Sequence, residues 1–442
     1  MFKSITQAPR SGKRRTWGLL AAAAAGALAL SACASSGTTP TPAPDEPDAP
    51  ANSSQVQDAL VPYVGGTAGA ADSSQSPIRI GYITQEGGIP SFPESLAAAQ
   101  AAASLVNEQL GGVKGQPIEL VPCIVVSSQE EALACAQQMA NDDSIAYVQM
   151  SLLTVGTESI YSTLAGKKAV VGQTPASPTD VTTADLYQPW PGSFGVQGGI
   201  AKYVSDTLQA KQVAIVYDDD DPGSSFGAKS LAGALDQLKV AYNSVGTQTG
   251  SPDVASALVS AGAMEADVVV RVGSTPSCVP TAQAIEQLGI TAPVIGLDFC
   301  TDDSVREANG GDLPAWTYVG QAQNVFAPEN NEQVAVYRAA MASFAPDAKY
   351  SGLAPYGWNA VLLGTKMLNE LGADGATPAA VADWWEGFNG PLFMGPESIE
   401  CGFLADAGLR GLCSTAVFFT EYDGNGAWKP SIGVDSRGLG LK

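Results

Sequence analysis

Ile78-Arg79-Ile80-Gly81-Tyr82-Ile83 reads as a buried strand, and the segments that follow it decide the fold class. Residues 93–110 carry Ala-rich helical spacing and stop at Gly111-Gly112. Residues 117–126 form a second strand. Residues 128–141 read as a helix opened by a Ser/Glu capping pattern. Residues 144–149, 155–164 and 169–172 add a strand, a helix and a strand. No hairpin signal interrupts this alternation, so it implies βαβ units and a parallel sheet with helices on both faces.

The rhythm restarts further on. Residues 199–208 are helical and 213–217 form a strand with an acidic end, Asp218 to Asp221. Helices over 227–238, 252–261 and 279–288 alternate with strands over 240–244, 268–272 and 294–296. After residues 318–325 come helical stretches over 332–344, 351–371 and 378–388. The tail contains Asp423-Gly424-Asn425-Gly426, a hairpin-type turn. The expected class is α/β, with two open parallel-sheet, Rossmann-like lobes around a cleft. Ligands bind such sheets at the carboxyl ends of the strands.

The first residues are not part of the fold. Lys3, Arg10, Lys13, Arg14 and Arg15 precede an apolar run over 17–30, too short to span a bilayer and laid out as an export signal. Leu30-Ser31-Ala32-Cys33 resembles the bacterial lipobox, in which small residues precede a cysteine that is lipidated and becomes the mature N-terminus. The position of Cys33 favours this over a plain secretory signal. Arg14-Arg15 leaves Sec and twin-arginine export both open. Residues 1–32 are thus expected to be a lipoprotein signal. Residues 33–76, rich in Ala, Pro, Ser and Thr, are expected to be a lipidated cysteine and flexible tether. The location that follows is the extracytoplasmic face of the cell membrane, held by a lipid anchor.

The chain has 22 basic and 44 acidic residues, a net charge of −22, and five of its basic residues lie in the signal. So acidic a domain excludes nucleic acid as a partner, because phosphate contact needs basic clusters. Six cysteines besides Cys33 fall into close pairs: Cys123 with Cys135, Cys278 with Cys300, and Cys401 with Cys413. They allow fifteen pairings. Proximity and an exported setting favour the three local bridges over a metal site, since the chain has no CxxC and no histidine.

From residue 77 onward the chain resembles the type I periplasmic-binding-fold receptors of branched-chain amino acid and amide ABC importers, the leucine/isoleucine/valine-binding family. The resemblance rests on Ile80-Gly81-Tyr82-Ile83, on the helix end Val106-Asn107-Glu108-Gln109-Leu110-Gly111-Gly112-Val113-Lys114-Gly115, and on Ile118-Glu119-Leu120-Val121. It continues in Phe226-Gly227, Tyr356-Gly357-Trp358-Asn359-Ala360 and the turn at Asp423. It implies a three-segment hinge, with lobe 1 over 77–211 and 325–394 and lobe 2 over 212–324 and 395–442. It further implies closure over a small polar ligand, an amino acid or amide, and delivery to an ABC permease and its ATPase, with no cofactor.

The resemblance also implies site residues. Thr154, Gly156 and Thr157, then Ala176 and Ser177, stand where hydroxyls and backbone N–H groups hold a ligand carboxylate. Asp298, in Gly296-Leu297-Asp298, stands where an acidic residue takes the ammonium; its alternative is a helix cap or a solvated loop position. Asp219, Phe226 and Ser274 lie on the other lobe-2 loops. Phe92 covers the side chain from lobe 1, with a core or surface role as its alternative. The loop over 84–93 and the reduced serine run at 151–154 depart from the family pattern and leave room for a different ligand.

Catalysis is not expected. Gly223-Ser224-Ser225-Phe226-Gly227 satisfies G-x-S-x-G, yet no histidine exists to activate Ser225. A calcium loop from Asp218 would need Glu at its twelfth position and meets Lys229 instead. The alternatives to an importer receptor are a ligand-sensing lipoprotein of a signalling system and a purely structural surface lipoprotein.

Overall fold

The computed structural model describes residues 53–88, 90–437 and 439. The expected export signal, Cys33 and the part of the expected tether up to residue 52 lie outside them. Among the described residues no helix is long and apolar enough to cross a membrane.

The first lobe is built on a five-stranded sheet. Its strands are β1 (Ile78–Gln85), β2 (Ile118–Val125), β3 (Ile145–Met150), β4 (Val170–Val171) and β5 (Leu186–Tyr187), in the order β2-β1-β3-β4-β5. Every pairing is parallel. Parallel strands need crossover connections, and the helices Pro93–Gln109, Gln129–Asn141 and Thr157–Leu164 supply them. The middle one starts on a capping box: Ser128 Oγ accepts from Glu131 N–H at 3.2 Å, and the Glu131 carboxylate accepts from Ser128 N–H at 3.0 Å.

The second lobe carries β6 (Gln212–Asp218), β7 (Ala241–Thr247), β8 (Val268–Val272), β9 (Val294–Leu297) and β10 (Thr317–Gly320). A small ribbon, β11 (Asn389–Gly390) with β12 (Ile399–Glu400), precedes β13 (Ala416–Glu421) and β14 (Ile432–Asp435). The large sheet runs β14-β13-β10-β9-β8-β6-β7. Strands β6 to β10 are parallel, and β13 and β14 close one edge antiparallel through the turn at Asp423.

The chain crosses between lobes three times, and the crossings differ from the expected ones. Helix Gly192–Lys202, expected in lobe 1, buries Val196, Ile200 and Ala201 in one core with Val213 and Val270 of the second sheet. The first crossing therefore falls just after Trp190, which belongs to the first core. The third lies near 413–417 rather than at 394: Ile399, Cys401 and Cys413 pack in the first core, and Val417 in the second. The ribbon and the Cys401–Cys413 bridge hold that segment to the first lobe.

A second correction concerns the tether. Residues 53–76 are not a free linker: Ser53–Val64 is a helix, and Val56, Leu60 and Val64 are buried in the first core. Spacing of four residues puts all three on one helical face. The Asn369 side chain donates to Val64 O at 2.9 Å, and Gly69 bridges to Leu110. The polar, Pro-containing composition concealed this short apolar stripe.

The three local cysteine pairs are bridged: Cys123–Cys135, Cys278–Cys300 and Cys401–Cys413. Among the described residues no cluster of metal-ligating side chains occurs.

Candidate functional site between the lobes

The carboxyl ends of β1, β3, β4, β6, β8 and β9 carry the loops where a ligand is expected, and their polar groups fall into two kinds. Most are engaged within the protein. Thr154 donates its N–H and hydroxyl to Gln85 Oε1 at 2.8 and 3.1 Å. Gly156 caps helix Thr157–Leu164 with φ +75°, and a Cβ there would stand 2.2 Å from Ala132 Cβ, so both its conformation and its space require glycine. Thr157 begins that helix. Ala176 N–H and Ser177 N–H donate to Asp180 Oδ2 at 2.9 and 2.7 Å, and Tyr161 OH donates to the other carboxylate oxygen at 2.6 Å.

The second lobe repeats the pattern at Asp218, which is fully buried. Its carboxylate accepts from Ser274 N–H and Oγ at 3.0 and 3.2 Å and from Ser277 Oγ at 2.7 Å, and it pairs with Arg271. The Arg271 guanidinium also donates to Val216 O and Val272 O. Asp219 is exposed and accepts from Gln248 Nε2 at 3.1 Å. Asp220 accepts from Thr249, and Asp221 caps helix Pro222–Leu238. The acidic strand end is thus a set of loop ties. Ser225 lies in the first turn of that helix and donates to Asp219 O at 3.3 Å.

Asp298 is different. It follows β9 and lines an open-mouthed cavity of about 460 Å³, counting the solvent at its mouth. The wall draws Tyr318 and Thr420 from the second lobe, Asn324 and Phe326 from the crossing, and Tyr356 from the first lobe. Tyr356 OH reaches Asp298 Oδ2 at 3.5 Å. Burial pushes the Asp298 carboxyl up to about 7, against the lowering effects of the Tyr356 hydroxyl, nearby backbone N–H groups and Lys349. The same burial, with Asp298 beside it, drives the Tyr356 hydroxyl well above its ordinary range. Of the ten residues expected to bind ligand, Asp298 alone lines this cavity.

The others are distributed around it. Phe226 packs edge-on to Phe194, ring centroids 5.4 Å apart, in a cluster with Val181 of the first lobe. Phe92 packs against the first core, and its N–H donates to Gln85 O. Residues that sequence reasoning missed join the lobes. Gln321 Oε1 accepts from Thr174 Oγ1 and Gly192 N–H at 2.8 and 2.6 Å, and Lys349 pairs with Asp302. Tyr356 stood within a recognisable run without a role attached. Ser177-Pro178-Thr179-Asp180 carried the S-x-x-D signal that ties Asp180 back onto Ser177. Gln321 has no local signal at all.

Residues 77–421 match a family model described as periplasmic binding protein. An amino acid binding protein of Pseudomonas aeruginosa is 25% identical over 300 residues, 65% of this chain and 75% of the relative. A leucine binding protein from Thermotoga maritima has the same fold at a TM-score of 0.63 and 16% identity, over 82% of this chain and all of the other. A fatty acid ABC transporter substrate-binding protein from Thermomonospora curvata also reaches a TM-score of 0.63, at 13% identity, over 86% of this chain and 98% of that one.

Proposed function

The chain belongs to the periplasmic binding protein family, and from that premise we propose that it is an extracytoplasmic solute-binding lipoprotein. It captures a small polar ligand, an amino acid or amide, between its lobes and delivers it to an ABC permease and its ATPase. The observation that carries this reading is the cavity whose wall takes Asp298 from one lobe and Tyr356 from the other. A ligand touching both walls stabilises the closed arrangement, and closure follows from such two-sided contact alone.

The role is capture rather than catalysis. The G-x-S-x-G serine is a helix residue engaged with a backbone carbonyl, and the chain holds no histidine to activate it. The lipobox-like Cys33 supports a lipid anchor on the outer face of the membrane, and the amino acid binding relative supports the ligand class.

A thermal-shift screen of the full chain carrying Cys33→Ser tests the reading. The panel comprises amino acids, amides, urea, polyamines and small carboxylates. A ligand present at about 100 times its Kd adds about 2.7 kcal/mol of stability and raises Tm. A flat response across the panel, from protein refolded free of carried-over ligand, would count against solute capture.

A further inference from the structure

The hydrogen-bond inventory of the cleft is lopsided. Donors suited to an anion exist on both lobes, but internal acceptors hold them. Asp180, 3% exposed, accepts from Ala176 N–H, Ser177 N–H, Ser177 Oγ and Tyr161 OH. The Asp180 carboxylate thus sits where a bound carboxylate would have to sit to use those donors. Gln85 Oε1 holds both donors of Thr154, and Asp218 holds both donors of Ser274.

The cations are engaged as well. Arg271 is buried against Asp218, and Lys349 pairs with Asp302. No lysine or arginine is among the residues lining the cavity at Asp298. What that cavity offers is the Asp298 carboxylate as an acceptor and neutral donors only, the hydroxyls of Tyr356 and Ser351 and the amides of Gln323 and Asn324. Asn324 Oδ1 accepts from Phe326 N–H at 3.0 Å, which fixes the orientation of its amide, and its buried Nδ2 has no partner. The cation that acts on Asp298, Lys349, is already paired with Asp302, so a solute carboxylate placed here would face Asp298 with no unpaired cation to offset the repulsion and would be stripped of water. A group that donates N–H to Asp298 and accepts from Asn324 through a neutral carbonyl satisfies both.

We propose that the captured solute is a carboxylate-free amide, bound through its N–H groups to Asp298 and its carbonyl oxygen to Asn324. This rests on the reading of the interlobe cavity as the solute site. It narrows that reading, since an α-amino acid would bring its carboxylate into a cavity whose lining holds no lysine or arginine.

Calorimetric titration of the full chain carrying Cys33→Ser, with matched pairs, decides the matter. The pairs are isovaleramide and isovalerate, benzamide and benzoate, leucinamide and leucine, and glutaramide and glutarate. In each pair that binds, the amide is expected to bind at least about tenfold tighter than its carboxylate. Asn324→Leu and Asp298→Asn should each weaken the amide about tenfold, with circular dichroism and Tm verifying that both variants fold. A carboxylate that binds as tightly as its amide overturns the inference while leaving solute capture intact. Failure of every pair to bind removes both. Unchanged amide affinity in a folded Asn324→Leu and a folded Asp298→Asn would show that the amide sits elsewhere, and overturns the assignment.

Discussion

The Asp298 carboxylate of the second lobe and the Tyr356 hydroxyl of the first stand 3.5 Å apart across the cleft, at the limit of a hydrogen bond. A partly buried carboxylate so weakly partnered resists ionisation, and its pKa rises from 3.8 to about 7. An aspartate with a raised folded-state pKa holds its proton longer in the folded than in the unfolded chain. The stability this contributes is fully present below the unfolded value and is lost as pH rises through about 7. The Tm of ligand-free protein relative to Asp298→Asn should therefore fall between pH 5 and 8. Calorimetric scans across that range test this, and parallel profiles for the two proteins would refute it.

Lys349 and Asp302 tie the lobes at a second point, and both are partly exposed. A pair of this kind is worth at most about 1 kcal/mol, so Lys349→Met should barely change global stability. Asp302 also caps helix Asp303–Ala308, accepting from Ser304 N–H at 2.9 Å. Asp302→Ala should thus cost roughly 0.5–2 kcal/mol through the lost cap. Urea titrations of the two variants read this difference, and equal losses would mean that the ion pair rather than the cap governs the site.

The helix Ser53–Val64 packs as part of the folded domain rather than as tether. Leu60 is fully buried, and Leu60→Ala should cost roughly 2–5 kcal/mol. Deleting residues 1–76 should lower the urea midpoint by more than the point variant does. A midpoint unchanged by the deletion would return this segment to the tether.

Arg271 and Asp218 form a buried pair, 2% and 0% exposed. Removing one partner leaves a buried charge, so Asp218→Ala should cost roughly 3–5 kcal/mol. The double variant Asp218→Leu with Arg271→Met should lose much less than the sum of the single losses. A double-mutant cycle by equilibrium denaturation measures the coupling. Additive losses would show that the two side chains act independently.

Much of the architecture was legible locally. Apolar runs such as Ile78–Gln85 and Val268–Val272 identify themselves because a strand buried on both faces needs continuous hydrophobicity. Ser128 with Glu131 announces a helix start because the cap is made within four residues. The cysteine pairs were legible as neighbours, since a bridge over 12 or 22 residues closes a short loop. Of the site, Asp298 could be proposed from its place after a strand.

The tertiary structure alone decided what those residues face. Composition makes residues 53–76 look like linker, and only the first core shows what Val56, Leu60 and Val64 are buried against. Helix Gly192–Lys202 continues the first alternating unit along the chain, yet its apolar face matches the second sheet. Thr154 and Ser274 look like free donors in sequence, whereas folding brings Gln85 and Asp218 within hydrogen-bond reach. Asp298 and Tyr356 are 58 residues apart and meet only because two separately built lobes lie against each other there. The sequence by itself determined most of the secondary elements, the parallel sheets and the covalent bridges, because those depend on short-range pattern. The crossings, the engaged donors and the chemistry of the cleft depend on which distant groups share buried space, and that is a property of the packed chain alone.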